Sequence, residues 1–153
     1  MVEKCQNVLH VAAIDSPGLT CCVSIAKYVA QMLPMTLVPK ENWSGTREDT
    51  HAFSHMNDDE KHAFIQQNPA YGKIVCRCEQ ISEGEILDAI HRNPGARDID
   101  GVKRRTRSGM GRCQGGFCGP QVMALLSREL GIGMEEVTKN GGDSYMVAER
   151  IGL

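Results

Sequence analysis

The chain has 153 residues, of which 41% are hydrophobic and 24% are charged, and its net charge is −2. This balance gives no overall sign of nucleic-acid binding, and no apolar run approaches the roughly 20 residues that a membrane span needs. Because the N-terminal residues contain no apolar secretory signal, we expect a cytoplasmic protein without a transmembrane segment.

The first stretch, residues 7–33, is apolar and carries few charges. Residues 8–14 predict a largely buried strand, because this apolar run does not alternate with polar residues. A turn follows, in which Ser16 can cap a helix and Pro17 suits its first position. Apolar side chains then recur every three or four positions, which predicts a helix with one buried face, ended by Pro34. That face consists of Cys22, Ile25, Ala26, Val29 and Leu33.

Residues 34–74 form a polar connector with little core of its own. Asn57 and Glu60 loosely fit a capping box, which predicts one short helix inside the connector. We expect Trp43 and Phe53 to attach this segment to another part of the protein.

The remaining residues, 75–153, predict a helical unit. Ser82 and Glu85 form a full capping box at the start of one helix. A later helix begins with Pro120 in its first turn and is capped at its end by Gly131. The predicted helices cover residues 82–92, 100–105 and 119–130.

Four of the seven cysteines form two close pairs, Cys76-x-Cys78 and Cys113-x4-Cys118, with 34 residues between the pairs. Close cysteine pairs in a reducing compartment indicate metal or redox chemistry rather than a disulfide framework. In an extended chain, residues i and i+2 point to one side, so we expect Cys76 and Cys78 to present their sulfurs together.

The surroundings of the second pair favour a 2Fe-2S cluster. Gly115 and Gly116 let the backbone wrap around a bulky inorganic core and leave amides free to donate to its sulfides. Cys118 precedes a helix start, where free amides and the helix dipole stabilise a thiolate. Six nearby cations would favour the reduced, more negative state and raise the potential. They are Arg77, Lys103, Arg104, Arg105, Arg107 and Arg112.

Two other interpretations remain open on these residues. A four-thiolate zinc site would make the chain a structural or interaction module without redox function, although the one-residue spacing is less typical of zinc. Zinc can also replace iron at an emptied cysteine site. The basic residues 103–107 could instead bind nucleic acid, but the run is short and the chain is acidic overall, so we expect no nucleic-acid partner.

Three segments resemble a known family. Residues 75–79 (Val-Cys-Arg-Cys-Glu), 83–86 (Glu-Gly-Glu-Ile) and 103–118 (Lys-Arg-Arg-Thr-Arg-Ser-Gly-Met-Gly-Arg-Cys-Gln-Gly-Gly-Phe-Cys) are similar to the bacterioferritin-associated-ferredoxin-like 2Fe-2S domain. The version they resemble is fused to the C-terminus of FAD-dependent dehydrogenases of the anaerobic glycerol-3-phosphate dehydrogenase type. The resemblance covers about residues 70–140 and implies a small all-helical fold. It also implies that the iron ligands are Cys76, Cys78, Cys113 and Cys118.

The N-terminal stretch fits the same resemblance. Residues 13–20 and the apolar helix after them resemble the end of the FAD domain in those dehydrogenases, where a turn and a helix N-terminus approach the flavin. The resemblance therefore implies contact with FAD, in the complete protein only, by Ser16, Pro17, Gly18, Leu19 and Thr20. The implied architecture is mainly α: residues 1–34 are a strand–helix remnant of the FAD-binding α/β domain, residues 35–74 a connector and residues 75–153 the cluster domain.

The glycine turn that binds dinucleotide phosphates is missing. Gly109-Met110-Gly111 lacks both the third glycine and a preceding strand. We therefore expect a C-terminal piece of a larger flavoprotein that neither binds FAD tightly nor turns over substrate alone. Its expected role is to pass electrons from the flavin to an acceptor protein or subunit, with the rest of the dehydrogenase chain as its other partner.

Overall fold

The structure is a computed structural model that describes residues 8–33, 35–36, 38–46 and 52–148. The chain divides into two compact units, Met1–Arg47 and Glu48–Leu153. Pro34, predicted to end the first helix, lies outside the described residues.

The first unit contains helix α1, Gly18–Met32. Residues 8–15 form no strand, so the strand predicted at residues 8–14 is wrong. A strand needs a neighbouring strand to pair with its backbone amides and carbonyls, and the described residues of this unit supply none.

The start of α1 also differs from the prediction. Pro17 is the N-cap residue, with φ −99° and ψ 62°, and no side chain caps the helix. Ser16 was predicted to be this cap, but it lies one position too early for its hydroxyl to reach the amides of the first turn.

The predicted apolar face of α1 is not buried. Ile25, Val29 and Leu33 are half-buried, whereas Cys22 and Ala26 are exposed. An amphipathic helix buries its face only against another apolar surface, and the part of this unit that the structure describes buries no residue of α1. Trp43, expected to attach the connector, is likewise 73% exposed.

The second unit opens with helix α2, Asp58–Gln67, which begins at a complete capping box. The Asn57 side chain accepts a hydrogen bond from Glu60 N at 2.9 Å, and the Glu60 carboxylate accepts one from Asn57 N at 2.8 Å. The short helix predicted inside the connector is therefore confirmed.

A two-stranded hairpin follows, which the sequence did not predict. β1, Ile74–Cys76, pairs antiparallel with β2, Ile81–Ser82, and Cys76 lies opposite Ile81. Ser82 then caps helix α3, Glu83–His91. Its hydroxyl accepts a hydrogen bond from Glu85 N at 3.3 Å, and the Glu85 carboxylate accepts one from Ser82 N at 2.7 Å. The predicted capping box is confirmed.

Aromatic side chains attach the connector to α3. Phe53 is buried, as expected, and its ring centroid lies 6.0 Å from that of Tyr71. Phe53 N donates to the Glu85 carboxylate at 3.1 Å, and the Tyr71 hydroxyl donates to the Asp88 carboxylate. Residues well ahead of the first cysteine pair therefore belong to the same packed unit.

Two more helices complete the second unit: α4, Ile99–Thr106, and α5, Gly119–Leu130, which ends at Gly131 with φ 66°. Cys76 and Cys118 belong to the hydrophobic core that α3, α4 and α5 share. The fold is mainly α, as predicted. No helix among the described residues is long and apolar enough to cross a membrane. The largest fully buried core side chains are Ile86, Ile90, Leu126, Val102 and Val137.

Candidate metal centre

The four cysteines come from two chain segments. Cys76 ends strand β1, and Cys78 lies in the hairpin turn formed by residues 77–80. Cys113 lies in the loop between α4 and α5, and Cys118 is the N-cap residue of α5. The hairpin and this loop therefore bring thiols together that are far apart in the sequence.

The thiols form two pairs, and each pair takes one cysteine from each segment. Cys78 Sγ and Cys113 Sγ lie 3.7 Å apart, with Cys78 exposed and Cys113 half-buried. The other pair, Cys76 and Cys118, lies in the core, where their side chains interact and are 1% and 2% exposed. Cys76 is buried and Cys78 is exposed, and the chain turns directly after Cys76, so the expectation that these two cysteines present their sulfurs together stays a prediction.

This arrangement fits a two-metal cluster. In a tetrahedral thiolate site with metal–sulfur bonds of about 2.3 Å, two sulfurs on one ion lie about 3.8 Å apart. The 3.7 Å between Cys78 Sγ and Cys113 Sγ matches that spacing. Among the described residues, no three Cys, His, Asp or Glu side chains converge as a single ion would need. A mononuclear zinc site is therefore not supported.

Backbone amides surround Cys113. The N–H of Phe117 is the main reason that the pKa of the Cys113 thiol is lowered, followed by the Cys78 thiol and the N–H of Gly115. Gly115 has φ 86°, which a residue with a side chain rarely adopts. The backbone amides of this loop were predicted to donate to the sulfides of a cluster. In this structure they donate to the Cys113 sulfur.

Cys118 has the opposite electrostatic setting. Burial raises the pKa of its thiol, and the neighbouring Cys76 raises it further, while the Ser108 hydroxyl lowers it. The sequence predicted that the start of α5 would stabilise a thiolate here. Burial outweighs that effect, because a low-dielectric environment disfavours the charged form.

The hairpin turn is packed directly against the second segment. A Cβ added to Gly111 would collide with the Cys78 side chain and lie 3.2 Å from Glu79 Oε1. Arg107 Nε also donates to Glu79 Oε2 at 2.9 Å. The role of Gly111 in this contact was not predicted from the sequence, where Gly111 was interpreted only as part of an incomplete dinucleotide-binding motif.

Four of the six predicted cations have partners within the protein. Lys103 pairs with Asp100 and Arg104 with Asp98, while Arg105 donates to two backbone carbonyls. Because Arg107 also pairs with Glu79, the basic run is an internal network, which disfavours a nucleic-acid-binding surface. Within the described residues, only Arg77 and Arg112 of the six have no ion pair or hydrogen bond, and both are exposed.

The residues predicted to face FAD lie at the start of α1. Ser16 and Pro17 form a turn, Gly18 begins the helix, and Leu19 is 90% exposed. Thr20 lies in the first turn of the helix. Their contact with a flavin remains a prediction.

Comparisons with known proteins agree with this site. Residues 74–128 match the BFD-like 2Fe-2S binding domain. A glycerol 3-phosphate dehydrogenase of Caloramator mitchellensis is 47% identical over 145 residues, which are 93% of this chain and 30% of the relative. One of the subunits of the anaerobic glycerol-3-phosphate dehydrogenase of Escherichia coli K12 is 32% identical over 74 residues, 48% of this chain and 14% of the relative.

A third match is shorter. The hydrogen cyanide synthase subunit HcnB of Pseudomonas aeruginosa PAO1 is 51% identical over 45 residues, 29% of this chain and 9% of the relative. No solved structure matches this chain. The chain spans less than a third of the length of these relatives. Residues 74–128 match the BFD-like 2Fe-2S binding domain, and the chain as a whole matches the C-terminal region of a glycerol-3-phosphate dehydrogenase-type protein.

Proposed function

We propose that this chain is the electron-transfer portion of an FAD-dependent dehydrogenase and passes electrons one at a time from the flavin to an acceptor protein. The observation that carries this proposal is the pairing of four thiols across two segments, inside the region that matches a 2Fe-2S domain. A 2Fe-2S cluster changes charge by one electron without a bond being made or broken. Substrate chemistry belongs to the rest of the complete enzyme, and the names of two relatives make glycerol 3-phosphate its proposed substrate.

The proposed ligand set follows the two pairs. Cys78 and Cys113 hold one iron at the surface, and Cys76 and Cys118 hold the other in the core. The 3.7 Å separation of the first two sulfurs supports their sharing an ion, and the side-chain interaction between the other two supports the second pair. Both pairs combine a hairpin residue with a residue of the second segment, so the cluster joins the two segments.

The ligand set is tested by substitution. Each of the four cysteines is replaced by alanine in turn, and iron and acid-labile sulfide are measured after anaerobic reconstitution. We expect each replacement to abolish the cluster. Cys21→Ala and Cys22→Ala are matched controls, because these cysteines lie in α1, in the other unit, and should leave iron content unchanged. A variant among the four that keeps a full cluster contradicts the assignment of that residue.

Electrons leave, in this proposal, on the side of Cys78 and Cys113. Cys78 is exposed, and Phe117, whose N–H contacts the Cys113 sulfur, is 82% exposed. Arg77 and Arg112 directly precede these two cysteines and are exposed. A large apolar side chain flanked by cations suits an acceptor that offers an apolar contact rimmed by carboxylates.

Electrons arrive from FAD in the complete enzyme, and the turn at residues 16–20 contacts that flavin. The support is local: α1 has no side-chain cap, so the amides of Leu19 and Thr20 in its first turn are available to a negatively charged group, and the Leu19 side chain is 90% exposed. The same surface can instead pack against protein, so the electron route is tested separately.

The electron route is tested with the reconstituted chain and free FAD. The chain is mixed anaerobically with chemically reduced FAD, and the EPR spectrum is recorded after freezing. We expect the rhombic signal of a reduced 2Fe-2S cluster. A cluster that dithionite reduces but reduced FAD leaves oxidised would contradict electron flow from flavin while leaving the cluster itself established.

A further inference from the structure

An ion pair joins the two segments that carry the cysteines. Arg107 Nε donates to Glu79 Oε2 at 2.9 Å. Glu79 directly follows Cys78 in the hairpin turn, whereas Arg107 ends α4 and begins the loop that leads to Cys113. Among the ion pairs of the described residues, this is the one that connects the hairpin turn to that loop. It therefore joins the same two segments as the surface pair of thiols, Cys78 and Cys113.

The backbone at Arg107 is unusual for a residue with a side chain. Arg107 is the C-cap residue of α4 and adopts a left-handed conformation, with φ 70° and ψ 3°. Glycine is the usual residue in such a conformation, and α5 does end at a glycine, Gly131, with φ 66° and ψ 32°. Hydrogen bonds from Arg107 N to Lys103 O at 2.8 Å and from Met110 N to Arg107 O at 3.0 Å hold this backbone in place. An arginine here is disfavoured by the backbone, so its side chain calls for an explanation, and the ion pair with Glu79 supplies one.

The carboxylate of Glu79 lies beside the Cys78 side chain. A Cβ added to Gly111 would collide with the Cys78 side chain and lie 3.2 Å from Glu79 Oε1, so both side chains lie against the same glycine. The Glu79 side chain is 22% exposed, which leaves its charge partly shielded from water. The two charges of the ion pair therefore compensate each other next to the surface pair of thiols.

We propose that Arg107 is a positioning residue for the surface iron: through Glu79 it holds the hairpin turn against the cysteine loop, and the ion pair keeps the charge beside that iron balanced. The proposal rests on the proposed function, since it requires the cluster. Loss of either partner would loosen the turn that carries Cys78. It would also leave one uncompensated charge next to a cluster that becomes more negative on reduction, and the sign of that charge differs between the two partners.

The rate of cluster loss tests the positioning role. The reconstituted full chain is challenged with a chelator, and cluster loss is followed by absorbance. We expect Arg107→Gln and Glu79→Gln each to lose the cluster about two- to fivefold faster than the wild type, as for other partly exposed ion pairs. The double variant should be no faster than the single variants, because all three lack the same bond. Arg104→Gln is the matched control, since Arg104 is another exposed arginine of α4 but pairs with Asp98, at 3.7 Å, and should leave the rate unchanged.

The reduction potential tests the charge balance, because a loosened turn alone does not shift the potential in opposite directions. Redox titration followed by EPR should show one-electron reduction about two- to fivefold less favourable in Arg107→Gln, where the Glu79 carboxylate is left without its cation. In Glu79→Gln, reduction should be about two- to fivefold more favourable, where tenfold corresponds to 59 mV for one electron. The double variant has no charge at either position, so its potential should return close to that of the wild type although its cluster is lost faster.

The outcomes separate this proposal from the proposed function. A wild-type chain that holds no cluster overturns both. With a loaded wild type, the role of Arg107 alone is overturned if both single variants lose the cluster at the rate of Arg104→Gln, or if their potentials shift in the same direction. If Arg107→Gln fails to hold iron, Arg107→Gly decides the matter, because glycine suits the left-handed backbone. This variant should load and then lose the cluster as fast as Glu79→Gln does, and its failure to load while Glu79→Gln loads overturns the proposal.

Discussion

At the scale of single residues, the contact between Gly111 and Cys78 sets how the two cysteine segments meet. Gly111 is buried against the Cys78 side chain, so the hairpin turn can approach the loop only because residue 111 has no Cβ. Cys78 is the exposed member of the surface pair, and its sulfur lies 3.7 Å from that of Cys113. A small shift of the hairpin turn would separate the two sulfurs.

Gly111→Ala should therefore impair the cluster. The added methyl group would displace Cys78, and overpacking of this kind costs about 1–3 kcal/mol. We expect a lower iron content after reconstitution and faster cluster loss, measured by absorbance during chelator challenge. Gly119→Ala is the matched control, because a Cβ at that position meets nothing within 4 Å. Equal iron retention in the two variants would refute the importance of this contact.

The unpaired arginines beside the surface cysteines give a second prediction. Arg112→Glu and Arg77→Glu should slow reoxidation of the reduced cluster by ferricyanide, an anionic acceptor, and the effect should shrink at high salt. Arg92→Glu, at the end of α3, makes the same charge change and should slow the reaction less. Stopped-flow rates at low and high ionic strength provide the measurement. Identical slowing by all three variants would mean that only net charge matters.

Single residues differ in how far the sequence reveals them. The four cysteines were predicted from their spacing, because close pairs of one residue type carry a recognisable signal. The pairing of these cysteines across the two segments was not predicted. It depends on a hairpin turn between Cys76 and Cys78, which the conformational propensities of single residues do not determine. The burial of Ser108 was not predicted either, because burial arises from tertiary packing.

At the scale of elements, α3 positions the first cysteine pair, and its start is fixed by local chemistry. Ser82 closes the hairpin that carries Cys76 and Cys78 and also caps α3, so one residue ends a strand and begins a helix. Both capping boxes were predicted from sequence, because the bonds involved span only three residues. The strand at residues 8–14 was predicted wrongly, because strand formation depends on a partner outside the segment.

Loss of the cap on α3 should weaken the second unit more than loss of the cap on α2. Ser82→Ala removes a buried cap and should lower the free energy of unfolding by about 1–2 kcal/mol. Asn57→Ala removes an exposed cap of the same kind and should cost about 0.5–1 kcal/mol. Urea unfolding of the two variants measures the difference. If Asn57→Ala lowers the free energy of unfolding more than Ser82→Ala does, the importance of α3 to the core is contradicted.

Glu83, the first residue of α3, gives the unit a dependence on pH. Lys73 donates to its carboxylate at 2.7 Å and Arg128 at 3.2 Å. The Lys73 hydrogen bond is the main reason that the pKa of Glu83 is lowered from its ordinary value of 4.5. The ionised carboxylate therefore contributes stability that is fully present above pH 4.5 and is lost as the pH falls through its lowered value in the folded protein.

Glu83→Gln should remove part of this pH dependence. The wild type should lose stability between pH 5 and pH 3 more steeply than the variant, and the two curves should converge at low pH. Urea midpoints across that range provide the measurement. Parallel curves over the whole range would show that the ion pairs of Glu83 contribute nothing to acid unfolding.

At the scale of the whole molecule, the cluster and the hydrophobic core of the second unit depend on each other. Cys76 and Cys118 are part of that core, so a cluster held by the proposed ligands would join the hairpin to α5 where Ile86, Val102 and Leu126 pack. Metal binding at a site of this kind contributes to folding, because the ligands converge only in the folded chain. The first unit supplies none of the four cysteines.

Removal of the cluster should therefore affect the two units unequally. We expect amide hydrogen exchange to increase strongly over residues 75–120 in the apo protein and to change little over residues 8–33. Exchange measured by mass spectrometry on matched holo and apo samples gives both values in one experiment. An equal change in the two regions would contradict the dependence of the second unit on its metal.

The most direct test of the central claim is the metal and sulfide content of the chain purified anaerobically from iron-replete cells. Two thiol pairs that each hold one iron require two irons and two acid-labile sulfides for each chain. We expect that stoichiometry, with little zinc. One metal ion per chain without sulfide, whether zinc or iron, would contradict it.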